Sequence, residues 1–291
     1  MPVNSKRDDE IRKSVRENYA KRVTSSGCGC SDTPCCSPSG KTPSQTMGYS
    51  EDELRSIPQG ADLGLGCGHP TALASLQEGE IVLDLGSGAG IDCFLAADKI
   101  GETGHAIGVD MTPEMIERAR ENARKENIAN VEFRLGEIEH LPVADASVDV
   151  VVSNCVINLS PDKPQVFREA FRALKPGGRL MVSDIVLRGE LPQEVRESME
   201  QYVGCVAGAS QIDDYLGAIC DAGFRDVTIV KDTSAESAFT GGEAEKLGEK
   251  GTLKLVVDGQ ALRLEDVGLT DETAHLLAAT VSSICVSATK P

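Results

Sequence analysis

From residue 81 to residue 230 the chain alternates between short apolar runs and longer segments with apolar residues on one side. The runs at 81–85, 105–109, 131–135, 147–154, 179–184 and 227–230 have the length and composition of buried strands. Between them, 91–99, a segment opened by Thr112-Pro113-Glu114, 164–174, 191–202 and 210–222 carry helical sequence. Threonine before proline is a strong helix start, because the hydroxyl can cap and the ring presets the first helical φ. Gly223 marks a helix stop. Strands alternating with helices over short links specify a mostly parallel sheet covered on both faces, with right-handed crossovers.

The flanks read differently. Ile11, Val15, Tyr19 and Val23 recur every four positions among charges, which predicts a docking helix over 8–23. Residues 25–46, rich in Ser, Gly, Pro and Cys, predict a mobile loop. Ser50 and Glu53 form a capping box, and 63–70 is a second glycine-rich loop. Past Lys231, segments 252–257 and 260–264 around Asp258-Gly259 predict a hairpin, with a closing strand at 283–288. The expected organisation is an N-terminal helix and cysteine-rich segment over 1–70, a Rossmann-like domain over 71–232, and a small C-terminal region over 233–291.

No apolar run approaches the roughly 18 residues of a membrane span, and residues 1–10 lack an apolar signal core. A soluble, cytoplasmic protein is expected. The formal charge of −17 argues against a nucleic-acid or anionic-membrane partner, since both select basic faces. Ten cysteines in a reducing compartment point to soft-metal binding or thiol chemistry more than to a disulfide frame.

The strand 81–85 contains Asp84 and runs into Gly86-Ser87-Gly88-Ala89-Gly90. Glycines there permit dihedrals closed to other residues and let a ligand lie against the backbone, at the strand end where open α/β sheets place nucleotides. The next strand ends in Asp110, twenty residues past Gly90, the spacing at which an acid meets a ribose diol. A dinucleotide turn would read G-x-G-x-x-G. Here the glycines run G-x-G-x-G, and no basic residue follows before Lys99. Such a turn suits a ligand with positive charge nearby, and S-adenosylmethionine fits, with its sulfonium, ammonium, ribose and adenine. Ser87 and Met111 join Asp84, Gly86, Gly88, Gly90 and Asp110 as expected cofactor contacts. Gly136, Glu137 and Ile138 follow the third strand and read equally as a border of the adenine or as a solvated acidic loop, and Asn154 closes the fourth strand beside the pocket, where such residues face a ligand or cap a turn.

Cys155 stands at the carboxyl end of the fourth strand, on the sheet edge that carries the glycine turn. Cys67 and Cys205 lie in glycine-containing stretches that can bend over the same edge. Three thiolates converging there would make a pyramidal site for a thiophilic ion. Cys93 and Cys220, inside helices, read as small buried hydrophobes. Cys28, Cys30, Cys35 and Cys36 crowd into nine residues without zinc-knot spacing, and read as a thiol relay or an expendable loop. His69 reads as an exposed loop histidine or a substrate contact.

Together, Asp84-Leu85-Gly86-Ser87-Gly88-Ala89-Gly90, Gly64-Leu65-Gly66-Cys67-Gly68, Ser153-Asn154-Cys155-Val156-Ile157-Asn158-Leu159 and Gly204-Cys205-Val206-Ala207-Gly208-Ala209 resemble the arsenite S-adenosylmethionine methyltransferases, from about Asp8 to Val230. The resemblance implies a class I methyltransferase fold with a seven-stranded sheet, and trivalent arsenic bound by Cys67, Cys155 and Cys205. It also implies that an N-terminal cysteine pairs transiently with Cys67. Cys35 or Cys36 matches that role best, and both join the expected catalytic thiols. Thioredoxin or glutathione would be the external reductant, arsenite the substrate, and the protein a monomer.

Overall fold

The computed structural model describes residues 5–24, 42–190, 208–234, 254–257, 260–263 and 280–291. The expected helix over 191–202, Cys205 and the four clustered N-terminal cysteines lie outside them.

Strands β1 (Ile81–Leu85), β2 (His105–Asp110), β3 (Val131–Leu135), β4 (Val148–Asn154) and β5 (Leu174–Leu187) form the parallel part of the sheet. They match the expected runs, with β5 longer at both ends. The full order is β3-β2-β1-β4-β5-β10-β7, where β7 is Arg225–Ser234 and β10 is Val281–Thr289, and the two-residue β6 (Ser210–Gln211) pairs with β5. Order reverses between β1 and β4, and the crevice beyond their carboxyl ends is the expected ligand position.

The sheet departs from the sequence reading at β10, which was expected in a small C-terminal region. It lies inside the main sheet, antiparallel to both β5 and β7, with a nine-residue register against β5 that runs from Val281↔Leu187 to Thr289↔Arg179. Its burial explains the placement: Ile284, Cys285, Val286 and Ala288 are all buried. The expected hairpin is present as β8 (Lys254–Val257) and β9 (Gln260–Arg263), paired with each other.

Period-two alternation directs the strand side chains into two cores. Leu83, Leu85, Val151 and Val182 face one side, against helices α7 (Lys163–Ala173) and α8 (Ile212–Asp221) through Phe167, Tyr215 and Ile219. Val82, Val150, Val152 and Met181 face the other, against α5 (Ile91–Ile100) and α6 (Pro113–Lys125) through Phe94, Leu95 and Ile116. Thr112 takes the N-cap position of α6, with no side-chain hydrogen bond there.

The N-terminal helix α1 (Ser5–Thr24) forms as expected. Ile11 and Val15 are buried against Cys155 and Leu159, with Tyr19, Cys67, Met111 and Val156 packed around them. Burial of two such side chains contributes about 2 kcal/mol each, which holds α1 against the carboxyl edge of the sheet. Three short helices were not resolved by pattern alone or only in part: α2 (Pro43–Met47) in the stretch read as loop, α3 (Glu51–Ser56) behind the Ser50/Glu53 box, and α4 (Pro70–Leu73). Thr42 and Gln45 make a second capping box, at the start of α2.

Candidate active site

The turn after β1 is set by its packing. Gly86, Gly88 and Gly90 all have positive φ, at 71°, 53° and 102°. A Cβ on Gly86 would meet Val156 Cγ2 at 2.4 Å, so the turn after β4 can lie directly on the glycine turn only because residue 86 has no side chain. The N–H groups of Gly86 and Ser87 donate to the Val109 carbonyl at 2.7 and 3.0 Å. Asp110 accepts from the Gly88 N–H at 3.0 Å and the Thr112 N–H at 2.8 Å, which ties the tip of β2 to the cradle.

Beneath the cradle is a buried acidic pair. Burial raises the Asp84 carboxyl well above its ordinary value, and Asp92 and Asp110 raise it further, with the Cys93 thiol donating to it at 3.4 Å. Burial likewise raises Asp92, and hydrogen bonds to Tyr49, Asn154 and Thr71 and the nearby His69 ring lower it in part. The Tyr49 hydroxyl lies 3.0 Å from both Asp92 oxygens, and the Thr71 hydroxyl 3.2 Å from one. The groups acting on Asp84 are thus neutral or acidic, an environment that favours a cationic ligand. Ser87 Oγ is buried without a hydrogen-bond partner, beside the same turn. An unfilled hydroxyl, a glycine cradle and buried carboxyls that a bound cation would ionise fit S-adenosylmethionine.

The second half of the site is built on β4 and β5. Cys155 has φ 60°, a left-handed conformation that few non-glycine residues adopt. Its N–H donates to the Ser183 carbonyl at 2.8 Å. The Cys67 and Cys155 sulfurs and an Asp184 carboxylate oxygen all lie within 4.8 Å of one another. Asp184 is fully buried on β5, and burial raises its carboxyl to about 7, against hydrogen bonds from Ile185 and Tyr215 and the field of Lys163.

Asn154 holds the Cys67 loop in place. Its Oδ1 accepts from the N–H groups of Cys67 at 3.0 Å and Gly68 at 3.2 Å, while its Nδ2 donates to the Gly68 carbonyl at 2.8 Å and the Tyr49 hydroxyl at 2.9 Å. From below, Ser283 on β10 donates to the Cys67 carbonyl at 2.8 Å.

Comparison with known proteins bears directly on this pairing of a cofactor cradle with a thiol pocket. The methyltransferase domain family matches residues 76–258. An arsenite methyltransferase of Halobacterium salinarum is 51% identical over 251 residues, covering 83% of this chain and 64% of that protein. One from Aquipseudomonas alcaligenes is 37% identical over 268 residues, covering 87% of this chain and 74% of that protein. The chain belongs to the arsenite methyltransferase family. A crystal structure of an arsenic(III) S-adenosylmethionine methyltransferase from Chlamydomonas reinhardtii superposes with a TM-score of 0.58 at 32% identity, covering 84% of this chain and 71% of that one. The chain therefore spans about two thirds to three quarters of the length of these three relatives. Its fold is that of a class I S-adenosylmethionine methyltransferase.

Within this arsenite methyltransferase scaffold, the structure brings together two of the three expected arsenic thiols, Cys67 and Cys155. Cys205, Cys35 and Cys36 lie outside the described residues. Met111 packs in the cluster around Cys155. The Gly136 N–H donates to the Asp110 carbonyl at 3.0 Å, Ile138 is buried, and Glu137 faces Arg12 of α1 at 3.7 Å. Asn154 was read as a cofactor contact, and its amide is turned to the Cys67 loop and Tyr49. His69 is neither exposed nor loose: it is buried and stacks on Tyr49 at 4.0 Å between ring centroids. Cys93 is buried as expected, whereas Cys220 is exposed, because the last turn of α8 presents it outward. Sequence reasoning missed Asp184, Tyr49 and Asp92. A lone carboxylate at position 184, between the apolar runs Leu180-Met181-Val182 and Ile185-Val186-Leu187 of the strand next to β4, was the available signal for the first. Tyr49 and Asp92 reach the pocket from a preceding loop and a helix, where spacing gives no cue.

No described helix is long and apolar enough to cross a membrane.

Proposed function

We propose that the protein methylates trivalent arsenic with S-adenosylmethionine, as a cytoplasmic detoxifying enzyme acting as a monomer. The observation that carries this reading is the meeting of the Cys67 and Cys155 sulfurs beside the glycine cradle, from loops far apart in sequence. Cys205 supplies the third thiolate. Arsenic(III) is thiophilic, and exchange of its hydroxyls for thiols releases water without change of oxidation state.

Gly86, Gly88 and Gly90 would let S-adenosylmethionine lie against the backbone, Asp110 would take the ribose hydroxyls, and the Gly136–Ile138 segment would border the adenine. Asp84, with Asp92 behind it, would face the cationic end. When bound, S-adenosylmethionine supplies an electrophilic methyl on a sulfonium. The thiolates fix arsenic with its lone pair exposed, so the nucleophile carries no proton and no residue acts as general base. The main contribution of the pocket is positioning. Ile11 and Val15 of α1 pack over the thiol edge and would limit the access of water to it.

Methyl transfer formally oxidises arsenic to the pentavalent state, and two electrons must return before the product leaves as a trivalent species. The clustered cysteines, with Cys35 or Cys36 pairing with Cys67, supply them, and a thioredoxin or glutathione system restores the thiols. The test is arsenite-dependent formation of methylated arsenic from labelled S-adenosylmethionine with a thiol reductant, wild type against Cys155→Ser. Product from the wild type alone supports the reading. Absence of product with the cofactor still bound refutes it.

A further inference from the structure

Arsenic held by three thiolates leaves Asp184 without a role, yet Asp184 belongs to the same pocket. One of its carboxylate oxygens and the Cys67 and Cys155 sulfurs lie within 4.8 Å of one another, and among the described residues this is the one such set of three ligating side chains. Around a tetrahedral Zn2+, with bonds of about 2.3 Å to sulfur and about 2.1 Å to oxygen, neighbouring ligand atoms stand roughly 3.6–3.8 Å apart. The set already has close to the spread that one such ion requires. Each donor also rests on a fixed support. The Asp184 Oδ1 accepts from the Ile185 N–H at 2.9 Å and its Oδ2 from the Tyr215 hydroxyl at 3.2 Å, and Tyr215 is itself buried and packs edge-on against Phe167 at 5.3 Å. The Cys67 loop is clamped by Asn154 and by Ser283, and the Cys155 N–H is bound to the Ser183 carbonyl. Hydrogen bonds of this kind orient the groups that ligate a metal and raise its affinity.

We infer that Cys67, Cys155 and Asp184 form a Zn2+ site, which the metal occupies in competition with arsenite. The donor chemistry selects the ion. Two thiolates disfavour Mg2+ and Ca2+, which take oxygen, while a carboxylate adds little to trivalent arsenic or Cu+, which take sulfur, and suits borderline Zn2+. A fourth position remains for water on the side where Cys67 is half-exposed. Zn2+ and arsenite exclude each other because both claim Cys155; the competition rests on the proposed arsenic chemistry, whereas the metal site does not. Zn2+ offers no lone pair to a methyl group, so the zinc-loaded protein is inert toward S-adenosylmethionine. Its two ligating thiols are shielded from oxidation until arsenite displaces the metal.

The test uses the full chain carrying Cys28→Ser, Cys30→Ser, Cys35→Ser and Cys36→Ser, so that the clustered thiols do not compete for metal, in a non-thiol reductant. Zn2+ affinity is measured by competition with a chromogenic chelator, and Co2+ in its place reports thiolate ligation by its charge-transfer absorption. One metal per chain is expected. Asp184→Asn, which keeps the shape and removes the charge, should weaken Zn2+ binding by about tenfold or more, Tyr215→Phe by roughly tenfold through the lost orienting hydrogen bond, and Cys205→Ser by about twofold at most. Titration with S-adenosylmethionine checks that each variant is folded. Cys67→Ser, in a half-exposed loop, should lose part of the Co2+ charge-transfer band whatever becomes of the buried variants. Absence of Zn2+ binding, unchanged affinity in folded Asp184→Asn, or equal weakening in Cys205→Ser overturns the zinc site and leaves methyl transfer to arsenic standing. Release of Zn2+ by arsenite, one for one, is the expected sign of competition, and arsenite bound without release of Zn2+ overturns it. Failure of the wild type to bind or methylate arsenite overturns the arsenic reading and the competition, with the zinc site still standing.

Discussion

Replacing Asn154 by alanine separates two roles that one strand-end amide could have. In the structure the side chain satisfies two backbone N–H groups and one carbonyl of the Cys67 loop. The fit is close: a Cβ on Gly66, whose φ is 133°, would fall 2.9–3.1 Å from the Asn154 amide. Each hydrogen bond to a neutral partner contributes about 1 kcal/mol net, so losing three weakens the closed loop by about 3 kcal/mol. The half-buried loop admits water in compensation, which keeps the figure from rising to the full desolvation cost of three orphaned groups. Once the loop spends most of its time open, arsenic affinity falls by the fraction still closed, up to about 100-fold for 3 kcal/mol. The assay is threefold: dialysis of arsenite, calorimetric titration with S-adenosylmethionine, and amide exchange at Cys67 and Gly68. The expected pattern is a large loss of arsenite affinity, faster exchange at both amides, and a cofactor affinity changed by less than about tenfold through the remaining contact to Tyr49. A greater loss of cofactor than of arsenite, with exchange unchanged, would make Asn154 a cofactor contact and refute the loop argument.

Two further outcomes follow from the cradle and the adenine-side loop. Gly86→Ala places a methyl at φ 71° and against Val156, and should destabilise the protein by about 3 kcal/mol and abolish cofactor binding, read by thermal unfolding and titration; an unchanged melting temperature would contradict the packing described. Glu169 accepts from the Leu141 N–H at 2.9 Å and binds Arg172, whose guanidinium also donates to the Val143 and Leu141 carbonyls, so the pair pins the loop after β3. The Arg172 hydrogen bonds hold the Glu169 carboxyl below its ordinary 4.5 despite partial burial. Because the folded value is the lower one, the stabilisation is complete above 4.5 and is lost as pH falls through the folded value. Glu169→Gln should therefore cost about 1–2 kcal/mol at neutral pH and nothing in strong acid, as read by urea unfolding across pH; a pH-independent cost would show that shape, not charge, is what matters there.

The parallel half of the sheet was legible because each strand is a short apolar run with a turn signal at its end, and buried parallel strands admit little else. The Asp84 turn and Asp110 were legible for the same reason, their spacing being fixed by one strand, one helix and the next strand. Cys155 could be placed because a strand end has a known edge. The position of β10 was not legible: residues 281–289 read equally well as the end of an appendage, and only pairing with β5 and β7 distinguishes the two. Asp184 was hidden by its company, since a single carboxylate between two short apolar runs signals a site only once its neighbours in space are known. Tyr49, Asp92 and Thr71 meet through the tertiary fold alone, from a loop and two helices whose local patterns are ordinary.

The support that Ser283 gives to the Cys67 carbonyl ties the thiol pocket to the last strand to enter the sheet. On a ribosome, the glycine cradle, β4 and Cys155 would all have emerged while β10 was still unmade, leaving β5 with an open edge and the Cys67 loop without its floor. The nascent chain should thus acquire its glycine cradle well before its paired thiols are supported. A fragment cut to residues 76–258, the span that matches the methyltransferase domain family, would carry the cradle but neither Cys67 nor the strand beneath it.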